Sequence, residues 1–246
     1  MESLVPYGRG SMWELPRLCQ AGEVVPPTSG AGVLMEPRPR RHWAPSPQVP
    51  LPKASRIIVL PQFPQPETDS FGLVLSRRRS EVPTQDLRLS ALSEILWMSA
   101  RTQRAGGRFQ LRPHPSAGGQ HPTTLAILRQ RGGSIYFYDP LRHALHVTRR
   151  SLSQISIMRR QIAKVLPNGG GTAILVLLTP EITRAKYEAA QSLMWRDAGA
   201  LLATLHLTAT ACGKRSTLIG LLGERWPEYM GLPPRMIPGG ILLIGE

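Results

Sequence analysis

The chain has 246 residues, 41% of them hydrophobic, and a formal net charge of +14 at pH 7. That is enough apolar material for one large domain with a core, yet no run approaches the ~20 apolar residues of a transmembrane helix. Two cysteines, Cys19 and Cys212, lie far apart and exclude a disulfide framework and a cysteine-based metal motif; no metal is expected. The start, Met1 to Pro6, lacks the basic and apolar regions of a secretory signal. A cytoplasmic setting is the expectation.

Residues 1–55 differ from the rest. The first fifty hold nine prolines and show no sustained period of 2 or 3.6. Such a stretch cannot bury enough apolar surface to fold alone. It reads as an arm, with Trp13 and Trp43 as anchors on a partner subunit and Arg38, Arg40 and Arg41 suited to an acidic surface. Residues 56–246 are the folded domain. Elsewhere the positive charge is scattered, as at Arg149-Arg150 and Arg159-Arg160. No helix-turn-helix, zinc-finger or RNP motif accompanies it, so nucleic acid is set aside as a partner.

Arg56 to Pro61 is strand-like and closed by proline. Asp69 or Ser70 can cap a helix that buries Phe71, Val74 and Leu75 and ends near Arg77-Arg78-Arg79, where cations suit a helix C-terminus. From Ser90 a second helix puts Leu92, Ile95, Leu96 and Ala100 on one face. Arg112 to Pro122 is too rich in Pro and Gly for a helix or a central strand. It is a structured loop, and its two glycines let the backbone approach something flat or phosphorylated. In isolation such chemistry more often marks a plain turn. His114 and His121 bracket it at a spacing that fits no metal motif; loop histidines face solvent or are hydrogen-bonded.

Strands are expected at Thr124 to Leu128 and Ser134 to Tyr138, around a turn at Arg131-Gly132-Gly133, and at Ala144 to Thr148. Ser151 to Val165 is helical in pattern. Thr172 to Leu178 is almost wholly apolar, as for a central strand buried on both faces. Ile182 to Gly213 reads as helix, broken near Met194. Leu201, Leu205, Thr208 and Cys212 share a stripe, Cys212 as a small buried hydrophobe, and Gly213 is a stop. Asp197 within it suits a structural contact better than acid–base chemistry. Ile241 to Ile244 is the last strand. Hairpins mixed with long helices give an α+β class.

Ser76-Arg77-Arg78-Arg79-Ser80, Leu89 to Trp97, the Arg112–Pro122 loop, Gly132 to Tyr138, Lys186-Tyr187 and Asp197-Ala198-Gly199 occur in a telling order and spacing. From about Arg56 onward the chain resembles the nitroreductase-fold flavoproteins. More narrowly, it resembles the streptolysin- and microcin-type azoline dehydrogenases that act on ribosomal peptides. The resemblance implies a nitroreductase-like fold, with a mixed, antiparallel-rich central sheet flanked by helices. It implies FMN, a homodimer with flavin at the subunit interface, a modified precursor peptide as substrate, and a cyclodehydratase complex as a further partner. It puts Arg78, Arg79 and Ser80 at the phosphate and pyrimidine carbonyls. Pro115, Ser116, Ala117 and Gly118 lie along the ring and ribityl chain, and Lys214 and Arg215 add phosphate contacts. One departure loosens the phosphate assignment. Many relatives carry an Arg two residues after the Ser, whereas Ser80 is followed by Glu81-Val82. No GxGxxG supports a Rossmann site, and no nucleophile elbow supports an α/β hydrolase.

The resemblance also makes Lys186 and Tyr187 catalytic. Aromatising a thiazoline or oxazoline removes a proton and a hydride. Flavin takes the hydride, so the protein supplies the base. A phenol is a weak base at neutral pH, and a neighbouring ammonium favours its phenolate. On one helix the two side chains would point about 100° apart and could border one pocket. Without the resemblance, the pair reads as a surface Lys beside a half-buried Tyr. Two other functions stay open: an FMN-dependent nitro or quinone reductase of the same fold, and a non-catalytic scaffold subunit of a peptide-modifying complex.

Overall fold

The apolar run at residues 172–178 organises the architecture. The computed structural model describes residues 36–43, 49, 51–64, 69–106 and 109–246. Trp13 and Cys19 lie outside the described residues. In chain order the elements are strands Arg38–Pro39 (β1) and Arg56–Val59 (β2), helices Phe71–Arg77 (α1) and Leu89–Ala100 (α2), and strands Arg104–Gly106 (β3) and Phe109–Leu111 (β4). A 3₁₀ turn at Ala117–Gly119 follows, then Thr123–Leu128 (β5), Ser134–Asp139 (β6), Ala144–Arg149 (β7), helix Leu152–Val165 (α3) and Thr172–Leu178 (β8). The remainder is helix Pro180–Lys186 (α4), strand Tyr187–Glu188 (β9), helix Gln191–Ala211 (α5), strand Arg215–Ile219 (β10), helix Trp226–Tyr229 (α6) and strand Ile237–Gly245 (β11).

Seven strands form one sheet in the order β10-β11-β8-β5-β6-β7-β2. Every pairing in it is antiparallel. All seven residues of β8 are buried, because both faces are covered. Ile174, Val176 and Leu178 pack with α2 and α5, through Leu92, Ile95, Leu96, Leu201 and Leu205. Ala173, Leu175 and Leu177 pack with α3 and α6, through Ile155, Met158 and Trp226. This is the period-2 alternation of a strand between two helical layers. The fully buried Trp226 keeps its indole N–H satisfied by donating to Gln161 Oε1 at 2.6 Å.

The helix α5 lies close on β11 where β11 is interrupted by a bulge between Pro238 and Gly240. A Cβ on Gly239 would come within 3.0 Å of Ala198 Cβ, so a side chain here would press the helix back by a few tenths of an ångström. Gly213, at φ +64°, ends α5 as expected, with Lys214 N–H donating back to Ala209 O.

Three expectations change. In α1 the cap is Ser70, whose Oγ accepts from Leu73 N–H. Of the three residues expected inside, however, only Val74 is buried; Phe71 is 69% exposed and Leu75 48%. A two-turn helix resting on α5 covers one stripe only. The long helix breaks at Tyr187 to Ala190, not near Met194, which is a core residue. The chain leaves the helix there because Lys186 to Glu188 pair with Arg38 to Arg40. Cys212 is half-buried against the core rather than fully enclosed, and that burial pushes its thiol up to about 12.

Candidate active site

The Arg112–Pro122 loop is shaped by three residues in left-handed conformation, Gly118 (φ +59°), Gly119 (φ +66°) and His121 (φ +46°). It is held from behind by α5. Ser116 Oγ–H donates to Asp197 Oδ2 at 2.7 Å, and Ala117 N–H donates to Asp197 Oδ1 at 2.9 Å. Ser116 Oγ in turn accepts from His121 N–H at 2.8 Å. Burial raises the Asp197 carboxyl above its ordinary range, and the two donors pull against that rise. Asp197 thus has the structural role expected of it.

The two loop histidines are buried and hydrogen-bonded, not solvent-facing. His114 Nδ1–H donates to Ser99 O at 3.0 Å, and its Nε2 lies 3.2 Å from His121 Nδ1. Ser99 O can only accept, so a neutral His114 carries its proton on Nδ1. Burial first, then the nearby Arg112 guanidinium, lowers them to about 4 and about 3. Both imidazoles are therefore neutral near pH 7, as a rigid backing for the loop. Among the described residues, no three His, Cys, Asp or Glu side chains are grouped to hold a metal.

Lys186 and Tyr187 reach this loop by an unexpected route. Lys186 is the last residue of α4, and Tyr187 is extended at φ −123°, ψ 139°. They are not neighbours on one helix. Yet they converge on one backbone point: Lys186 Nζ–H donates to Gly118 O at 3.1 Å, and a Cβ on Gly118 would collide with both Lys186 Nζ and Tyr187 Oη. Only glycine leaves room for the pair, and its positive φ demands glycine as well. The helical arrangement expected for the pair is replaced by a helix end followed by an extended residue.

The expected phosphate-binding cations lie elsewhere along α5. Arg78 Nη1 is 3.2 Å from His206 Nε2, and His206 Nδ1 is 2.6 Å from Ser216 Oγ. Arg79, exposed like Ser80 beside it, donates to Ser76 O and Arg78 O. Carboxylates already hold the other two cations: Lys214 Nζ is 2.7 Å from Glu246 Oε2, and Arg215 Nε is 3.7 Å from Glu81 Oε2. Glu81, next to Val82 where the family pattern departs, is thus a partner of Arg215. His206 and Ser216 join the cluster through long-range folding, and no local motif announced them.

Asp197 and His206 are nine residues apart on α5. Helical geometry separates them by about 13 Å along the axis and about half a turn around it. The loop group and the cation group therefore sit on opposite sides of one helix.

No family model matches the sequence, and no curated protein sequence matches it. Solved structures do. A Ralstonia eutropha JMP134 protein assigned as a nitroreductase aligns at TM-score 0.63 and 23% identity, over 86% of this chain and 98% of that one. This is a nitroreductase-like fold. The same fold aligns at TM-score 0.56 and 17% identity with a chain of the E. coli microcin synthetase McbBCD complex with truncated pro-MccB17 bound, over 84% of each chain. A Staphylococcus epidermidis ATCC 12228 protein assigned as an NAD(P)H:FMN oxidoreductase aligns at TM-score 0.50 and 12% identity, over 76% of this chain and 91% of that one. Among the described residues, no helix is long and apolar enough to cross a membrane.

Proposed function

We propose that the protein is an FMN-dependent dehydrogenase that oxidises thiazoline or oxazoline rings to azoles in a ribosomally made, modified peptide. The observation that carries this reading is the convergence of Lys186 Nζ and Tyr187 Oη on Gly118, with the loop fixed by Asp197. A proton acceptor held over the loop backbone suits proton removal from a ring stacked beside a flavin on that loop. The likeness to a synthetase complex solved with pro-MccB17 supports a peptide substrate and a multi-subunit setting, and the family resemblance adds a cyclodehydratase as the further partner. The likeness to an NAD(P)H:FMN oxidoreductase supports the cofactor.

At Gly118 the space a side chain would take is held by Lys186 Nζ and Tyr187 Oη, so a flavin ring on this loop would lie against those two groups. Ser116, Ala117 and Gly118, with the exposed Pro115, would line the isoalloxazine. Arg78, Arg79 and Ser80 would meet the phosphate, with Lys214 and Arg215 as outer charges already balanced by carboxylates. When bound, the flavin supplies a hydride acceptor. Tyr187 takes the carbon-bound proton, and Lys186 holds positive charge beside the phenol oxygen and orients the loop carbonyl. The opposed placement of the loop and cation groups on α5 favours a homodimer in which a second copy completes each site. The exposed Phe71, Leu75, Ile57 and Val59 give such a copy apolar surface to cover. Residues 56–246 would be the FMN-binding domain, and residues 1–55 an arm that also serves assembly.

The paired state of Lys214 and Arg215 favours, as a second reading, a scaffold subunit without flavin. The absorption spectrum of the purified protein, before and after incubation with FMN, separates the two. The enzyme reading expects flavin absorbance, and loss of two hydrogens from an azoline-containing peptide by mass spectrometry. K186A/Y187F should abolish that loss and retain flavin. Flavin retention with turnover of nitroaromatics or quinones alone, unaffected by K186A/Y187F, would identify a reductase instead.

A further inference from the structure

Residues 36–43 run along α4 and β9. Arg38 pairs with Glu188 and Pro39 with Tyr187, antiparallel. Arg40 N–H donates to Lys186 O at 2.8 Å, Arg40 Nε–H donates to Arg184 O at 3.0 Å, and the same guanidinium stands 3.6 Å from Glu188 Oε1. Three residues further on, the Trp43 ring lies over the Lys186 ammonium, with Nζ 4.5 Å from the ring centroid. That ammonium also donates to Gly118 O. Lys186 is thus held between an indole face and a loop carbonyl, beside Tyr187.

We propose that Arg38–Trp43 is a strap and that Trp43 is a positioning residue for Lys186. The inference rests on reading Lys186 as a site residue. A lysine side chain is long and freely rotating, and its part-buried bond to Gly118 O fixes only the end of it. An aromatic face attracts the cation and removes water from one side of it. The strap is a separate device from the sheet: its ladder is two residues long, one of them a proline that donates nothing. Its hold therefore depends on Arg40, whose three contacts all fall on Arg184, Lys186 and Glu188. Trp43, expected from the sequence to anchor on a partner subunit, lies against Lys186 of its own chain.

The full-length protein has four lysines, Lys53, Lys164, Lys186 and Lys214. Reductive methylation with ¹³C-formaldehyde labels each of them, and single Lys→Arg variants assign the resonances. The expected spectrum has the Lys186 dimethylammonium line shifted upfield of the other three by the indole ring current. W43A should remove most of that shift, leaving the part due to the Tyr187 ring 5.5 Å from Nζ; W43F should restore part of it, and R40A should reduce it by loosening the strap. A Lys186 line at the position of the other lysines, or one unmoved in both W43A and R40A, overturns the proposal. If W43A does not fold, R40A alone decides. On azoline peptide, W43A should lower kcat more than it changes KM, with partial recovery in W43F. A protein that oxidises no azoline would refute the proposed reaction, whereas the resonance shift tests the strap independently of it.

Discussion

Asp197 fixes the backbone of the candidate site from behind. One carboxylate satisfies a hydroxyl and a backbone N–H of the loop, both from Ser116-Ala117. Charge-assisted bonds of this kind are the stronger class, so D197A should destabilise the protein by about 2 kcal/mol, read from urea unfolding. S116A alone should cost less. A double-mutant cycle between the two positions should show a coupling of about 1 kcal/mol, because they share one interaction. Gly118 gives a contrasting case. In G118A the clashing atoms are the ends of flexible side chains, so both can swing away. The cost in stability should stay near the 1–2 kcal/mol of a left-handed alanine, roughly. The Lys186–Gly118 contact should be lost outright, however. A melting experiment paired with peptide turnover should therefore show a small loss in one and a near-complete loss in the other.

The elements that sequence pattern exposed are those whose partners cover them evenly. Thr172 to Leu178 is buried on both faces and was legible as a central strand; α2 showed its stripe because one face meets the sheet. The break at Tyr187 was not legible, since nothing local forbids helix there and its cause is a segment some 150 residues earlier, roughly by sequence position. β10 was missed because its burial follows no simple alternation, and β3–β4 because each strand is only three residues long. At the site, glycines and a Lys-Tyr pair stood out as types, whereas His206, Ser216 and the Arg215–Glu81 pair arise only when distant segments meet. Hydrogen exchange should report this hierarchy. Amides of β8 should exchange only through global unfolding, whereas those at residues 186–190, outside the main sheet, should exchange orders of magnitude faster through local opening.

Over the whole molecule, the buried imidazoles set a pH limit. An unfolded histidine takes up its proton near 6.5, whereas folded His114 and His121 resist protonation until about 4 and about 3. Between those values the unfolded state binds more protons. The contribution of the pair is therefore fully present above pH 6.5 and is lost as pH falls toward 4. Each imidazole adds a slope of about 1.4 kcal/mol per pH unit in that window. His143 and His206, also lowered by burial, act with the same sign; Asp197, raised by burial, acts against it near its own range. Urea midpoints measured from pH 7.5 to 4.5 should fall steadily, and H121Q should flatten the fall. An unchanged slope in H121Q would show that the pair is not its source.

The strand order also fixes when the molecule can become whole. β5, β6 and β7 are consecutive hairpins and can pair as soon as they are made. β8 cannot be enclosed then, because one of its two neighbours is β11, residues 237–245. That strand leaves the ribosome after every other strand of the sheet. Until it docks, the most apolar strand has a bare edge, able to recruit a foreign chain. A nascent protein of this design is safest if it is escorted through that interval, and a truncation that removes β11 should be found in inclusion bodies rather than in solution.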